Sequence, residues 1–236
     1  MNKSIEYKNI SKSFEGKVVL DNFSHSFESG KVHVILGKSG MGKSVLLKVL
    51  MGLITPDNGE ILINNKSLDL AKEIDLLKVS YVFQFSALLN SLSVIDNITL
   101  YLDEKNIDTK ENRLKKAYKI LSDLDLDHSA TKNPSELSGG MRKRAAIARS
   151  LMIEPDILLY DEPTAELDQI NTGIIANIIL DLKKAKPITQ LVVTHDISFA
   201  FAIADTISIL EDGLINISGK PEEIKEINHP LLKPIA

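Results

Sequence analysis

Cysteine is absent from this 236-residue chain, which excludes disulfides and thiolate metal sites and is compatible with a reducing compartment. No apolar run approaches the ~20 residues that a membrane helix needs. Any membrane-spanning part of its work is therefore expected from another chain. Residues 1–9 are polar and charged, without the apolar stretch of a signal peptide. A formal net charge of −4 leaves no broad cationic surface. Non-specific binding to nucleic acid thus has little electrostatic support, and no nucleic-acid partner is expected. Internal repeats and low-complexity segments are also missing. What is present is 44% apolar content, enough to bury a full core as one large domain or as one domain with an appended lobe.

The most informative stretch is Gly37-Lys38-Ser39-Gly40-Met41-Gly42-Lys43-Ser44, a glycine-rich loop suited to nucleotide phosphates. The apolar run 32–36 before it reads as a buried strand, and 45–53 after it as a helix, the setting a P-loop requires. Glycines let several backbone N–H groups point at one anion, and the helix adds its positive end. Lys43 can reach the β- and γ-phosphates, and the Ser44 hydroxyl can ligate Mg²⁺.

Around this loop the chain changes pattern twice. Residues 5–27 alternate as strands with Gly16 and Gly30 at turns, predicting a small antiparallel sheet. Strands are also predicted at 60–63 and 79–83. From 86 to 134, Leu114, Ala117, Tyr118, Leu121 and Leu124 fall at helical spacing, predicting an inserted, mainly helical lobe. Beyond Met141, helices to 152, at 170–183 and at 198–204 alternate with strands at 157–160 and 190–194. A hairpin turning at Asp212-Gly213 follows. Such alternation favours an α/β fold with a parallel sheet. The expected organisation is a single domain, 1–236. Its core is formed by 1–85 and 135–220, its helical subdomain by 86–134, and a C-terminal tail by 221–236, which is either an interface or a frayed end.

Further chemistry lies downstream. The apolar run 157–160 ends abruptly in Asp161 and Glu162, where a Walker B aspartate belongs beside a phosphate loop. Asp161 would hold the Mg²⁺ shell, and Glu162 could polarise a water for attack on the γ-phosphate. Leu137-Ser138-Gly139-Gly140-Met141 opens another helix and forms a second anion-binding nest. The following Arg142, Lys143 and Arg144 are read as a solvated helix face.

These motifs, in this order, resemble the ATP-binding cassette (ABC) family of ATPases over nearly the whole chain. The resemblance implies a P-loop NTPase core with an N-terminal antiparallel β subdomain and an inserted α-helical subdomain, ATP and Mg²⁺ as ligands, and ATP hydrolysis. Ser138, Gly139 and Gly140 look like the signature motif that grips the γ-phosphate held by Lys43 of a second copy, so two chains would sandwich two ATP. Phe14 is similar to the aromatic that stacks on adenine, and Val45 follows the loop among its nucleotide contacts. Gln84 resembles the Q-loop glutamine that contacts Mg²⁺ and the attacking water. Ala165-Glu166-Leu167-Asp168 resembles the D-loop, with Asp168 aligning the subunits, although Gln169 stands where proline is common. His195 looks like the switch histidine of the γ-phosphate.

Coiled-coil arms, zinc modules and a second cassette have no room here, which favours the detached ATPase subunit of a transporter, peripheral on the cytoplasmic face of the inner membrane. Its permease would contact the apolar stretch Phe85-Ser86-Ala87-Leu88-Leu89 with Leu92. The runs Gly42-Lys43-Ser44-Val45-Leu46-Leu47 and Phe83-Gln84-Phe85-Ser86-Ala87-Leu88, together with Met141 and Arg144, look like the Mla/Mce-associated cassettes that energise phospholipid movement between bacterial membranes. That likeness adds a lipid-binding Mce-type subunit to the expected partners. Lipoprotein-release, cell-division and amino-acid cassettes are the alternative cargo systems. A nucleotide-gated scaffold and a P-loop kinase are the alternatives from other classes.

Overall fold

Val32–Leu36 (β3) is buried at every position, as expected of a strand covered on both faces of a parallel sheet. In the computed structural model, which describes residues 4–67 and 78–233, β3 lies inside a six-stranded sheet. The other strands are Val79–Val82 (β6), Ile157–Asp161 (β7), Thr189–Thr194 (β8), Thr206–Glu211 (β9) and Leu214–Gly219 (β10), in the order β10-β9-β3-β8-β7-β6. All neighbours run parallel except the β9–β10 hairpin, whose turn uses positive φ at Asp212 and Gly213. The expected strand 79–83 ends one residue early, because Phe83 leaves the ladder and only partly buries its ring. Leu36 pairs with Thr194, and Asp161 with Val193. The glycine-rich loop, Asp161-Glu162 and His195 consequently leave the sheet together at its carboxyl edge, where open α/β sheets place ligands.

A second sheet is antiparallel throughout, in the order β2-β1-β4-β5, from Ile5–Phe14 (β1), Lys17–Phe27 (β2), Asn58–Ile63 (β4) and Lys66–Ser67 (β5). It packs Ile5, Tyr7, Phe23 and Phe27 over Lys43–Met51 (α1) and over Ile35, Leu159, Leu191 and Val193 of the large sheet. The Tyr7 hydroxyl donates to the Leu46 carbonyl at 3.0 Å, tying β1 to α1. The alternate residues Val34, Leu158, Tyr160 and Val192 face the other way into a larger core, as the two-residue strand period requires.

That larger core is covered by helices Val94–Glu104 (α2), Lys110–Asp123 (α3), Gly139–Leu151 (α4), Gln169–Ala185 (α5) and Ile197–Ile203 (α6). Ser93 and Thr109 cap α2 and α3 by accepting from the N–H groups of Asp96 and Asn112. Of the residues at helical spacing, Ala117, Leu121 and Leu124 are buried, whereas Tyr118 is exposed. Within the described residues the tail is packed on its own chain rather than frayed. A short helix, Pro221–Lys225 (α7), buries Ile224; Leu232 is buried beyond it, and His229 Nε2 lies 3.0 Å from Glu211 Oε2 of β9. Residues 1–3, 68–77 and 234–236, including Pro234 of the tail, lie outside the description.

Candidate nucleotide site

Two glycines make the P-loop possible. Gly40 and Gly42 hold φ of 81° and 91°, in the left-handed region that a side chain disfavours. A Cβ on Gly42 would also lie 2.9 Å from Val19 Cγ1 and 3.2 Å from the Val19 carbonyl. A Cβ on Gly37 would lie 2.7 Å from the Leu210 carbonyl, so β9 can approach the loop closely. Lys43, at the first turn of α1, is buried, and its ammonium donates to the carbonyls of Gly37 at 2.6 Å and Lys38 at 3.1 Å. The same ammonium is 3.3 Å from Glu162 Oε1. Next to it, the Ser44 hydroxyl donates to Asp161 Oδ1 at 2.6 Å.

The two carboxylates after β7 are held differently. Asp161 Oδ2 accepts from the Tyr81 hydroxyl at 2.7 Å. Burial, with the Asp161 charge beside it, pushes the Tyr81 pKa up and keeps that hydroxyl a donor. Glu162 sits at a φ of 46°, uncommon for a residue with a side chain. Its Oε2 is 2.9 Å from His195 Nδ1 and accepts from the His195 backbone N–H at 3.3 Å. One carboxylate therefore bridges Lys43 and His195.

Phe14, Val19, Ser39, Gly40, Gly42, Lys43, Ser44, Val45, Gln84, Glu162 and His195 line one cleft of about 310 Å³. Phe14 stands at its mouth, 42% exposed, with the Lys12 ammonium 5.4 Å from its ring centroid. Gly37, Lys38 and Asp161 act on the cleft through their bonds to Lys43 and Ser44, and Met41 closes the loop with a backbone bond to Lys38.

Ser138, Gly139, Gly140 and Asp168 lie outside that cleft. Ser138 caps α4, accepting from the Met141 N–H at 3.3 Å, and is exposed. Gly139 lines a second cleft of about 380 Å³ with Gln84, Lys143 and Glu166, so Gln84 is shared by both clefts. Gly140 has no room for a Cβ, which would fall 2.1 Å from Asn171 Oδ1. Asn171 in turn donates through its backbone and its amide to Asp168, the cap of α5. These bonds hold the Asp168 carboxyl below its usual range.

The basic run after the signature corrects its expected form, since only Arg142 is an exposed cation. Lys143 is buried, and Arg144 donates to the carbonyls of Leu124 at 2.8 Å and Asp125 at 3.0 Å. Of the residues expected to meet a permease, Phe85 is 76% exposed and Leu89 46%, while Leu88 packs partly on the core. Sequence reasoning missed Val19, Tyr81, Lys143 and Asn171. Tyr81 and Val19 are hidden in strand patterns, Lys143 in a run of like charge, and Asn171 in an unremarkable helix start.

Comparison with known proteins adds an independent finding. Residues 20–165 match the family model described as ABC transporter. The sulfate/thiosulfate import ATP-binding protein CysA of Pseudomonas syringae pv. tomato is 35% identical over 226 residues, covering 94% of this chain and 69% of that protein. The intermembrane phospholipid transport system ATP-binding protein MlaF of Haemophilus influenzae is 34% identical over 225 residues, covering 93% of this chain and 85% of that one. Among solved structures, the ATP-binding cassette MJ0796, dimeric in a post-hydrolysis state with ADP and Pi, superposes with a TM-score of 0.83 at 32% identity. That match covers 92% of this chain and 98% of the other.

Proposed function

This chain belongs to the ABC transporter family and is an ABC ATPase, and we propose that two copies close around two ATP to power a separate membrane permease, with phospholipid as cargo. The observation that carries the ATPase mechanism is the convergence of Lys43, Ser44, Asp161, Glu162 and His195 at one strand edge. Glycine-loop N–H groups and the α1 N-terminus receive the phosphates. A phosphate chain there competes with the carbonyls and with Glu162 for the Lys43 ammonium. Glu162 then accepts a proton from the attacking water, the new P–O bond forms at the γ-phosphorus, and the bond to the β-phosphate oxygen breaks, leaving ADP and phosphate. His195, with a side chain 61% exposed, supports the γ-phosphate from the open side.

The donor set suits Mg²⁺: the Ser44 hydroxyl, the Asp161 carboxylate and the Gln84 amide are all oxygen ligands, as a hard cation requires. When bound, the ion neutralises charge on the phosphate oxygens. Dimerisation is supported by the exposed Ser138 at the head of α4 and by the dimeric relative MJ0796. Among the described residues no helix is long and apolar enough to cross a membrane, in keeping with a peripheral subunit whose exposed Phe85 and Leu89 meet a permease.

The phospholipid reading is supported by the signature Met141, the Gln84 to Leu88 segment and the likeness to MlaF, with an Mce-type subunit as further partner. The sulfate reading has comparable identity in its favour. Two experiments test these proposals. Glu162→Gln is expected to retain ATP binding, to lose hydrolysis by roughly a hundredfold or more, and to accumulate as a dimer in gel filtration with ATP; unchanged turnover removes Glu162 from the role. Affinity purification from detergent-solubilised membranes should recover a permease with bound phospholipid. Recovery of a sulfate or amino-acid permease instead replaces the cargo assignment.

A further inference from the structure

We propose that Lys143 is a positioning residue for hydrolysis, its buried ammonium fastening the signature helix to the backbone of both Gln84 and Glu162. The inference rests on the ATPase reading above. Lys143 is 6% exposed; its Nζ donates to the Gln84 carbonyl through a short contact and to the Glu162 carbonyl at 3.4 Å. One turn and a half further along α4, Arg149 donates to the carbonyls of Ala87 at 2.7 Å and Ser86 at 3.2 Å. Ser150 donates to the Tyr81 carbonyl at 3.4 Å. A single helix thus holds the chain from the end of β6 through the loop after it.

The backbone at these points explains why it must be held. Ser86, Ala87 and Glu162 have φ of 62°, 50° and 46°, a region that costs a non-glycine residue free energy and persists only where surroundings enforce it. Three of the carbonyls gripped by Lys143 and Arg149 belong to those residues. Burial pulls the Lys143 pKa down, while the charges of Glu166, Asp161 and Glu162 oppose that shift. Nearby carboxylates therefore offset part of the cost of burying the ammonium. Glu162 is consequently held by two lysines, with Lys43 on its carboxylate and Lys143 on its carbonyl. Without Lys143, the Gln84 and Glu162 carbonyls lose a charged donor. The side chains that meet the attacking water then lose their common support, whereas the P-loop keeps all its own bonds.

The test compares full-length wild type, Lys143→Met and Lys143→Arg in steady-state ATP hydrolysis, thermal melting and amide hydrogen exchange. Lys143→Met is expected to lower kcat by roughly tenfold or more with KM little changed, and to speed exchange in residues 81–87 and 160–166 but not in 37–47. Arg, which also donates to carbonyls, should recover most of the lost kcat. Three outcomes overturn the proposal: kcat within about twofold of wild type, equal losses in the Met and Arg variants that track Tm, or unchanged exchange in both segments. If Lys143→Met does not fold, Lys143→Gln takes its place, with an intermediate kcat expected. A wild type without ATP turnover would overturn the ATPase reading, and the exchange comparison would then decide the clamp alone.

Discussion

Both glycine-rich loops of this molecule open a helix, yet they are built on different principles. The loop before α1 needs glycine for its backbone, since Gly40 and Gly42 sit at positive φ. Its residues are also satisfied within the chain, by Asp161, Glu162 and their own carbonyls. The loop before α4 has no positive φ at Gly139 or Gly140. Gly140 yields space to Asn171, a Cβ on Gly139 would meet only Leu167 Cδ2 at 3.7 Å, and Ser138 faces solvent. The first loop is bonded to other groups of its own chain, whereas the second presents Ser138 to solvent. Glycine in the one serves conformation, and in the other it serves approach.

Substitutions can break this contrast. The largest effect is expected for Lys43→Ala, which should cut ATP turnover by roughly a hundredfold or more and weaken nucleotide binding; full activity in a coupled phosphate-release assay would contradict the P-loop assignment. Gly42→Ala comes next. The left-handed φ and the contact with Val19 should cost about 2 kcal/mol, read as a fall of about 5 °C in Tm without nucleotide. Gly139→Ala should do the opposite, leaving Tm within about 1 °C while lowering hydrolysis and ATP-driven dimerisation; a destabilised variant with normal dimerisation would erase the distinction between the loops.

The smallest effect is one that neither loop should feel. His25 of β2 lies 3.3 Å from Ser208 Oγ of β9, at the joint between the sheets. Burial, with the charge of His33 beside it, lowers its pKa from 6.5 to about 4. The folded state therefore holds this proton less readily than the unfolded chain. The stability that depends on neutral His25 is intact above pH 6.5 and drains away as pH falls from 6.5 towards about 4. Calorimetry should show a smaller loss of Tm over that window in His25→Gln than in wild type. Equal slopes would remove His25 as a source of acid sensitivity.

Much of the contrast was legible in the residues. Glycine spacing identified the P-loop, an apolar run ending in Asp161-Glu162 identified the strand edge, and the two-residue period marked the antiparallel sheet. Of the α4 cations Arg142 is exposed as expected, but Lys143 and Arg144 are not, because a run of like charge has no local feature that distinguishes a solvated cation from one held on carbonyls far away in sequence. Lys143 acquires its partners only when β6 and β7 are laid beside α4. The tail was ambiguous for a related reason. Ile224 and Leu232 show too little periodicity to declare a docking face until β9 and β10 present one.

The sequence by itself determined the phosphate loop and most strands and helices, because these rest on local spacing: backbone freedom at glycine, and periods matched to a strand or a helix; the family came from the resemblance of its motifs. Tertiary structure alone decided which groups share an atom. The Glu162 carboxylate lies between Lys43 and His195, Ser44 meets Asp161, and Asn171 fills the space beside Gly140. These pairings join residues far apart along the chain. The Asp161 and Glu162 pairings exist because parallel strands bring their carboxyl ends to one edge, and the Gly140–Asn171 contact because α4 packs beside α5, geometries that no stretch of sequence contains.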